Sequence, residues 1–275
     1  LLEEPAPVSF DVEITEPLCS GNDDGAAALT NLSGQGNNFT FQWGQNAKNQ
    51  RTPTAINLIA GNYSVTVTDE QGCESDASIV VTEPTPIQAT FETVDNRCFG
   101  EGEGAITTTA SGGTPGYTFA WSNGITTANQ QNLQAGNYEL TVTDANGCEH
   151  IAATEIRHPD RLTATLTATD ASCAGDRDGS IRIAPMGGTA PYQYSLDNQN
   201  FSSNSNLIGL TADTYKVYVR DANGCTFLDR VEVNEPPEFI VDAGDNSYTI
   251  LLGDSLQLNA TSANGQGFIS YVWSA

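Results

Sequence analysis

Positive charge is scarce in this chain of 275 residues, in which 10 Lys and Arg stand against 34 Asp and Glu and give a formal net charge of −24 at pH 7. Nucleic-acid binding needs a basic surface, and docking on anionic lipid needs clustered Lys and Arg, so this charge balance excludes both functions. Long apolar runs are also missing, because no stretch approaches the roughly 20 residues of a membrane helix. The sequence therefore predicts neither nucleic-acid binding nor membrane insertion.

Catalytic sequence patterns are equally scarce. The only two histidines, His150 and His158, have no nucleophile or metal motif around them, and no glycine-rich nucleotide-binding pattern precedes a helix. Carboxylates are abundant enough to pair as they do in glycosidases, but nothing indicates an insertion that would form a cleft. Catalytic residues are also not expected in every copy of a repeat. We therefore predict that the chain is not an enzyme.

The sequence instead contains a repeat with a period of about 76 residues. Each repeat carries two cysteines, which are separated by 54, 50 and 52 residues in order along the chain. A unit of this length is a small domain rather than one turn of a solenoid. Proline-containing junctions recur at the same phase and predict short, stiff connectors. The predicted domains are residues 1–83, 84–158 and 159–235, followed by a cysteine-free segment over 236–275.

Alternating apolar residues predict about seven short strands in each repeat. Tyr138, Leu140 and Val142, for example, alternate with polar residues, as in a strand with one buried face. Turn residues separate such runs, and no window of 12 residues shows the period of a helix. Strands at this spacing are typical of a two-sheet sandwich. We therefore predict an all-β fold.

Two further features favour an immunoglobulin-like sandwich. Trp43 and Trp121 occupy a third-strand position, where a large ring fills the space between two sheets, and the third repeat has Leu196 there. The segments that end in Tyr63 and Tyr138 resemble a tyrosine corner, in which the hydroxyl donates a hydrogen bond to upstream backbone. The prediction is a series of tandem immunoglobulin-like β-sandwich repeats, arranged as an extended rod.

The six cysteines predict one disulfide in each repeat. The pairing that closes every repeat on itself joins Cys19 with Cys73, Cys98 with Cys148, and Cys173 with Cys225. In the chain-entropy model, closing a loop of this size stabilises a domain by roughly 4 kcal/mol. Disulfides persist in oxidising compartments, which predicts an extracytoplasmic location. Two alternatives stay open: buried free thiols, and a zinc site, although the chain has no Cys-x-x-Cys motif.

Acidic turns beside the cysteines predict a calcium site, the one cofactor considered. Carboxylates recur at shared offsets after the first cysteine and before the second, and calcium binds six to eight such oxygens. A disulfide within each repeat would bring the two acidic segments together, and our specific hypothesis places calcium between Asp176, Asp178 and Asp221. The alternative, which we favour, is that the carboxylates cap backbone amides in ordinary turns. The full set of candidate ligands is Asp24, Asp69, Glu101, Glu103, Asp144, Asp176, Asp178 and Asp221.

Aromatic residues after the glycine-rich turns offer a second candidate site. Tyr117, Tyr192 and Tyr194 follow Gly-Gly-Thr segments, and exposed rings there would bind a glycan. The alternative, which we favour, is that these rings alternate between the core and surface positions of a strand. A surface polysaccharide is the partner that the glycan-binding interpretation predicts.

Longer motifs resemble a known family. The pattern Cys-x-Gly-x-x-[Asp/Glu]-Gly is followed by Gly-Gly-Thr-x-x-Tyr and then by Leu-x-Ala-Gly-x-Tyr-x-[Val/Leu]-x-Val-x-Asp-x-x-Gly-Cys. Over residues 5–235 this resembles the SprB repeat of Bacteroidota cell-surface proteins. The first repeat departs at residues 34–39, and the third lacks the tryptophan. Segment 236–275 resembles the start of a polycystic-kidney-disease-type (PKD-like) sandwich, on residues 241–245, 252–258 and 271–273.

The resemblance implies a large adhesin or filament that the type IX system exports to the bacterial cell surface, with relatives that act in gliding motility. The function it implies is a non-catalytic stalk segment for surface attachment or gliding. Its partners would be neighbouring repeats of the same chain and like chains in a fibre. The alternatives are a glycan-binding module, or a spacer that carries a distant secreted enzyme domain.

Overall fold

A computed structural model of the protein describes residues 7–238, 240–242 and 261–263. Its contacts divide the chain into two compact units. Unit 1 takes in Leu1–Asp95 and Gly102–Arg157, and unit 2 takes in Asn96–Glu101 and His158–Ala275. The short segment Asn96–Glu101 therefore groups with the third repeat, although its neighbours in the sequence belong to the second. No helix of the described residues is long and apolar enough to cross a membrane.

The first sandwich of unit 1 consists of two three-stranded antiparallel sheets. One sheet has the order β1 (Ser9–Thr15), β2 (Gly25–Ser33), β4 (Thr54–Leu58), and the other has the order β3 (Thr40–Trp43), β5 (Gly61–Thr68), β6 (Glu74–Val81). This is the arrangement of strands A, B and E against strands C, F and G in immunoglobulin-like domains.

The other two sandwiches repeat this topology. In unit 1 the sheets of the second sandwich are β7 (Gln88–Val94), β8 (Gly104–Ser111), β10 (Gln130–Leu133) and β9 (Thr118–Trp121), β11 (Gly136–Thr143), β12 (Glu149–Ile156). In unit 2 the sheets of the third are β13 (Thr163–Thr169), β14 (Gly179–Met186), β16 (Asn206–Leu210) and β15 (Gln193–Ser195), β17 (Asp213–Arg220), β18 (Thr226–Val233).

The predicted all-β fold of tandem immunoglobulin-like sandwiches is confirmed, with six described strands in each sandwich rather than about seven. In the first sandwich, the chain between β3 and β4 forms a short 3₁₀ turn over Gln45–Ala47 instead of a strand. Lys48 and Asn49, which follow it, have φ values of 57° and 53°. A strand cannot contain two successive residues in this left-handed region.

A short pair of antiparallel strands lies in the fourth predicted domain. β19 (Ile240–Asp242) pairs with β20 (Thr261–Ala263). The other segments that resemble a PKD-like sandwich lie outside the described residues, which include only positions 241 and 242 of them.

Each sandwich has its own apolar core between its sheets. Trp43 is fully buried and its indole N–H donates to the Thr52 carbonyl at 2.9 Å, while Trp121 donates to the Thr127 carbonyl at 3.0 Å. In the third sandwich, which lacks a tryptophan, buried Tyr194 and half-buried Leu196 pack in the core. The large rings therefore take the role that their third-strand position predicts.

The tyrosine corner is present in all three sandwiches. The Tyr63 hydroxyl donates to the Ile59 carbonyl at 2.8 Å, and the Tyr138 hydroxyl to the Gln134 carbonyl at 2.8 Å. Tyr215 makes the same bond to Thr211 at 3.0 Å. Each bond ties the start of the fifth strand to the backbone four residues before it.

Candidate functional site: the disulfide junctions

The first cysteine of the chain lies in a loop held by two carboxylates. We call residues 18–22, 97–101 and 172–176 the cysteine loops, one after the first strand of each sandwich. Asp24 accepts the backbone N–H of Leu18 at 3.3 Å, and Glu83 accepts the N–H of Gly21 at 2.6 Å and the hydroxyl of Ser20 at 3.0 Å. Glu83 follows β6, so the segment after the last strand closes over the loop after the first.

The cysteine loop of the third sandwich has the same construction. Asp178 accepts the N–H of Ser172 at 3.0 Å, and Glu235 accepts the N–H of Gly175 at 2.7 Å. Hydrogen bonds from the Ser172 side chain and then from its backbone N–H lower the pKa of Asp178 from its ordinary value. Carboxylates at equivalent positions of the first and third repeats therefore hold their cysteine loops.

The cysteine loop of the second repeat is held differently. His158 occupies the position of Glu83 and Glu235, and its ring packs edge-on against Phe99 with the centroids 4.7 Å apart. An aromatic contact thus takes the place of the carboxylate bond.

The second cysteine of each repeat lies in a tight turn built around an aspartate. We call residues 69–73, 144–148 and 221–225 the cysteine turns. Asp144 is buried, and its carboxylate accepts the N–H groups of Thr114 at 2.8 Å and of Asn146 and Cys148 at 2.9 Å each. The N–H of Thr114, followed by those of Cys148 and Asn146, holds the pKa of Asp144 below its ordinary value, against the burial that raises it.

The same bonds recur in the other two turns. Asp221 accepts the N–H groups of Thr189, Asn223 and Cys225 at 2.8–3.0 Å. Asp69 accepts those of Gln35, Gln71 and Cys73 at 2.9 Å each, and the Gln35 bond is the largest cause of the lowered pKa of Asp69. The three turns therefore present their cysteines in one geometry.

Two disulfides join cysteine loops to cysteine turns of different repeats. In unit 1, Cys19 bonds to Cys148 with a Cα–Cα distance of 5.6 Å and a sequence separation of 129. In unit 2, Cys98 bonds to Cys225 at the same Cα–Cα distance with a separation of 127. The loop of one repeat is thus bonded to the turn of the repeat that follows it in sequence.

A side-chain amide accompanies each bond. Asn146 donates to the carbonyl of Leu18, the residue before Cys19, at 3.3 Å. Asn223 donates to the carbonyl of Arg97, the residue before Cys98, at 2.9 Å. Sequence reasoning missed these amides, although each asparagine lies at the same offset before its cysteine.

The predicted pairing within each repeat is wrong: Cys19 does not bond to Cys73, Cys98 does not bond to Cys148, and Cys173 does not bond to Cys225. Cys73 and Cys173 carry no disulfide. The reason is strand direction, because Gly25 pairs with Leu58, so β5 starts at the end of the sandwich that carries the Cys19 loop. β5 then runs for 8 residues to the opposite end, about 26 Å away, whereas a disulfide needs Cα atoms within about 7 Å.

The predicted calcium site fails for the same reason. Asp178 directly precedes β14, and Asp221 directly follows β17, at opposite ends of the third sandwich. Within the part of the chain that the structure describes, no group of three or more His, Cys, Asp or Glu residues is placed to hold a metal ion. The hypothesis of calcium between Asp176, Asp178 and Asp221 is therefore wrong.

The candidate ligands instead belong to turns. Among them, Asp24 and Asp178 accept loop N–H groups, and Asp69, Asp144 and Asp221 accept turn N–H groups. Glu101, Glu103 and Asp176 lie in or beside their cysteine loops. The amide-capping alternative therefore describes the five aspartates that accept loop or turn N–H groups.

The aromatic residues after the glycine-rich turns do not form an exposed platform. Tyr194 is buried in the core of the third sandwich. The hydroxyls of half-buried Tyr117 and Tyr192 donate to the carbonyls of Gly112 and Gly187. These rings alternate between core and turn positions, and a polysaccharide partner stays a prediction.

Comparison with protein families identifies two SprB repeats in this chain, at residues 90–126 and 165–201. These segments include the cysteine loops of the second and third repeats. The matching model describes a repeat and not a catalytic domain. No curated protein matches the chain.

Several solved structures align with this chain. Immunoglobulin domains 1–5 of Sidekick-1 align with 13% identity and a TM-score of 0.37, over 85% of this chain and 60% of that one. A three-domain immunoglobulin fragment of titin aligns with 11% identity and a TM-score of 0.34, over 84% and 99% of the two chains. The human desmocollin-1 ectodomain aligns with 11% identity and a TM-score of 0.32, over 84% and 59%. The chain thus spans about three fifths of the Sidekick-1 and desmocollin-1 structures.

Proposed function

We propose that the chain is a non-catalytic, tension-bearing segment of an adhesin or filament stalk at the bacterial cell surface. The observation that carries this proposal is the stagger of the disulfides, each of which joins one repeat to the next. The SprB repeats support it, and so does the oxidising compartment that stable disulfides require. Attachment or gliding, export by the type IX system and an origin in Bacteroidota belong to the same proposal through the sequence resemblance.

The two disulfides provide alternative covalent routes along the chain. With one disulfide, the path from Cys19 to Cys225 follows residues 148–225 or residues 19–98. With both, the shortest path crosses the first disulfide, runs back from Cys148 to Cys98 and crosses the second. The two routes through one disulfide span 77 and 79 residues, and the route through both spans 50. Either bond alone therefore limits how far the chain can be stretched when its sandwiches unfold. A disulfide confined to one repeat would limit the stretch of that repeat only.

Single-molecule pulling between the two ends of the chain tests this proposal. The parent protein carries Cys73→Ser and Cys173→Ser, which leave both disulfides intact. Removing one bond, by Cys19→Ser with Cys148→Ser or by Cys98→Ser with Cys225→Ser, should lengthen the fully stretched chain by only about 100 Å, at roughly 3.5 Å per residue. Removing both should lengthen it by about 550 Å, because the path from Cys19 to Cys225 then grows from 50 to 206 residues.

One result of the pulling experiment would contradict the proposal. If the double removal lengthens the chain only by the sum of the two single removals, about 200 Å, the routes are not alternatives and the tension-bearing proposal fails. The roles of polysaccharide-binding module and of enzyme spacer stay predictions, since no contact in the described residues favours either one.

A further inference from the structure

The third sandwich carries a cluster of positive charge on the outward side of one sheet. Val217 and Val219 of β17 are buried in the core. Lys216 and Arg220 alternate with them along the strand and therefore point outward. Arg230 of β18 lies directly opposite Lys216 in the antiparallel register. We call Lys216, Arg220 and Arg230 the basic face, in a chain that has only 10 Lys and Arg.

No described carboxylate neutralises the basic face. None lies within 4.0 Å of the charged group of Lys216, Arg220 or Arg230. Glu232, the one carboxylate on the outward side of β17 and β18, instead accepts the Thr214 hydroxyl at 3.5 Å. Like charges directly opposite each other destabilise a sheet, so the pair of Lys216 and Arg230 favours an external anion.

The basic face also has a fixed arginine and an apolar centre. Arg220 donates to the side-chain carbonyl of Gln193 at 2.7 Å, and its guanidinium lies 4.1 Å from the centre of the Phe201 ring. A side chain that is already held loses less conformational freedom when it binds. Leu228, two residues before Arg230 on β18, is 52% exposed. The face therefore offers an apolar surface as well as charge.

The equivalent face of the second sandwich has the opposite charge. Glu139 of β11 occupies the position that Lys216 has in β17, and Glu149 begins β12. Ile151 occupies the position of Leu228 and is 61% exposed. We call Glu139, Glu149 and Ile151 the acidic face.

The first sandwich differs at the same positions. Asp76 takes the place of the apolar centre there and accepts the Thr66 hydroxyl at 2.5 Å. The two glutamates of the acidic face, by contrast, form no ion pair with a described residue, whereas their neighbour Glu155 is paired with Arg157 at 2.9 Å. The acidic face is therefore the complement of the basic face both in charge and in its apolar centre.

We propose that the basic face of one chain binds the acidic face of a second copy. The cations of one face pair with the glutamates of the other, and the two exposed aliphatic side chains are buried between the sheets. Complementary charge of this kind selects a partner and fixes its register. Each copy carries both faces and can take part in two such contacts. This inference goes beyond the tension-bearing role and does not depend on it.

The contact is small. Three strands, the longest of 8 residues, present a face of about 26 Å by 14 Å. Two such faces together bury about 700 Å², below the roughly 1,200 Å² of a stable complex, so association should be weak. The net charge of −24 does not prevent it at physiological salt, because charges farther apart than about 8 Å are then largely screened.

Sedimentation velocity of the full chain over a range of concentrations tests the proposal. The parent carries Cys73→Ser and Cys173→Ser, so that exposed thiols cannot join chains. At physiological salt it should associate reversibly, with a dissociation constant below about 1 mM. Lys216→Glu with Arg230→Glu should raise that constant at least about tenfold, because like charges then face each other.

A matched control reverses two cations outside the basic face. Arg177→Glu with Arg182→Glu changes the net charge by the same amount, and Arg182 lies on β14 in the other sheet of the third sandwich. This variant should keep the dissociation constant of the parent. Its chain and the basic-face variant should both retain the disulfide map of the parent, which shows that the fold is intact.

Reversing the charge of both faces should restore the contact. Glu139→Lys with Glu149→Lys should not associate on its own, because two basic faces then meet. An equimolar mixture of this variant with Lys216→Glu, Arg230→Glu should associate as the parent does, since every basic face again meets an acidic one.

Four results would overturn the proposal: a parent that stays monomeric up to about 1 mM, a control that weakens association as much as the basic-face variant, a mixture that stays monomeric, and binding to a glycan instead of a copy. The last would appear as a monomeric parent that immobilised heparin, a polyanionic polysaccharide, retains, and a Lys216→Glu, Arg230→Glu variant that it does not. Because the pulling experiment stretches single chains, its outcome is independent of this one.

Discussion

At the residue scale, one aspartate determines the geometry of each turn that carries a second cysteine. Asp144 is buried and accepts three backbone N–H groups, one from the Gly-Gly-Thr turn and two from its own turn. Buried N–H groups require acceptors, and a carboxylate is a stronger acceptor than a neutral group. Local backbone chemistry thus explains Asp144 and its counterparts Asp69 and Asp221, which had suggested calcium.

The lowered pKa values of Asp69 and Asp144 predict that stability falls in acid. A carboxylate whose pKa in the folded state lies below its ordinary value of 3.8 stabilises the fold above that pH, and loses this contribution as the pH falls through the folded-state pKa. The urea midpoint of the chain should therefore decrease below about pH 4. Asp144→Asn should have a lower midpoint at neutral pH and a weaker dependence in acid. Asp23→Asn, at an exposed acid, should retain the parent profile; identical profiles for both variants would refute the assignment.

The tyrosine corner predicts a difference between two tyrosines of one strand. Tyr215 and Tyr218 are both half-buried on β17, and the Tyr215 hydroxyl donates to the Thr211 carbonyl. Tyr215→Phe should lower the free energy of unfolding by about 1 kcal/mol, the typical contribution of one hydrogen bond. Tyr218→Phe is the control, because its hydroxyl has no hydrogen bond within the described residues. Denaturant titrations measure both, and equal losses would contradict the assigned role of the corner.

At the element scale, the Gly-Gly turns fasten the second and third sandwiches to the linkers before them. The N–H of Gly113 donates to the Thr85 carbonyl at 2.7 Å, and that of Gly188 to the Asp160 carbonyl at 2.7 Å. A Cβ atom on Gly112 would lie 2.0 Å from the Pro86 carbonyl oxygen. Only glycine permits this approach, so the linker is held against its own sandwich.

Alanine substitutions separate this contact from backbone strain. Gly112 and Gly124 have φ values of 77° and 84°, but a Cβ atom on Gly124 would meet nothing within 4 Å. Both substitutions impose a left-handed conformation that costs roughly 1–2 kcal/mol, and only Gly112→Ala also displaces the linker. Its loss of unfolding free energy should therefore exceed that of Gly124→Ala. If denaturant titrations gave equal losses of unfolding free energy for the two variants, the linker contact would not contribute to stability.

Much at this scale could be predicted from residue patterns alone. The alternation at Tyr138, Leu140 and Val142 marked β11, and the Leu-x-Ala-Gly-x-Tyr segments marked the tyrosine corner, because both features depend on local chemistry. The clamp formed by Glu83 was missed. Glutamate recurs directly before the junction proline, as Glu83 and as Glu235. That recurrence could have indicated the clamp, but it was interpreted only as part of a linker.

At the scale of the whole molecule, the arrangement of disulfides needed information that spacing does not contain. A pairing within each repeat treats all repeats alike, and so does a pairing staggered by one repeat. Strand direction decides between them, since β5 separates the Cys19 loop from the Cys73 turn by the length of a strand. Counting one reversal at every connection between the six strands would have placed these two cysteines at the same end, because β3 and β4 run in the same direction. The position of one repeat beside the next, by contrast, depends on contacts that no local pattern reports.

The most direct test of this account is a map of the disulfides in the monomeric chain. Free thiols are alkylated without reductant, the protein is digested, and linked peptides are identified by mass spectrometry. The account predicts two linked pairs, Cys19 with Cys148 and Cys98 with Cys225, and alkyl groups on Cys73 and Cys173 only. Peptides that link Cys19 to Cys73, or a chain that takes up no alkyl groups at all, would contradict it.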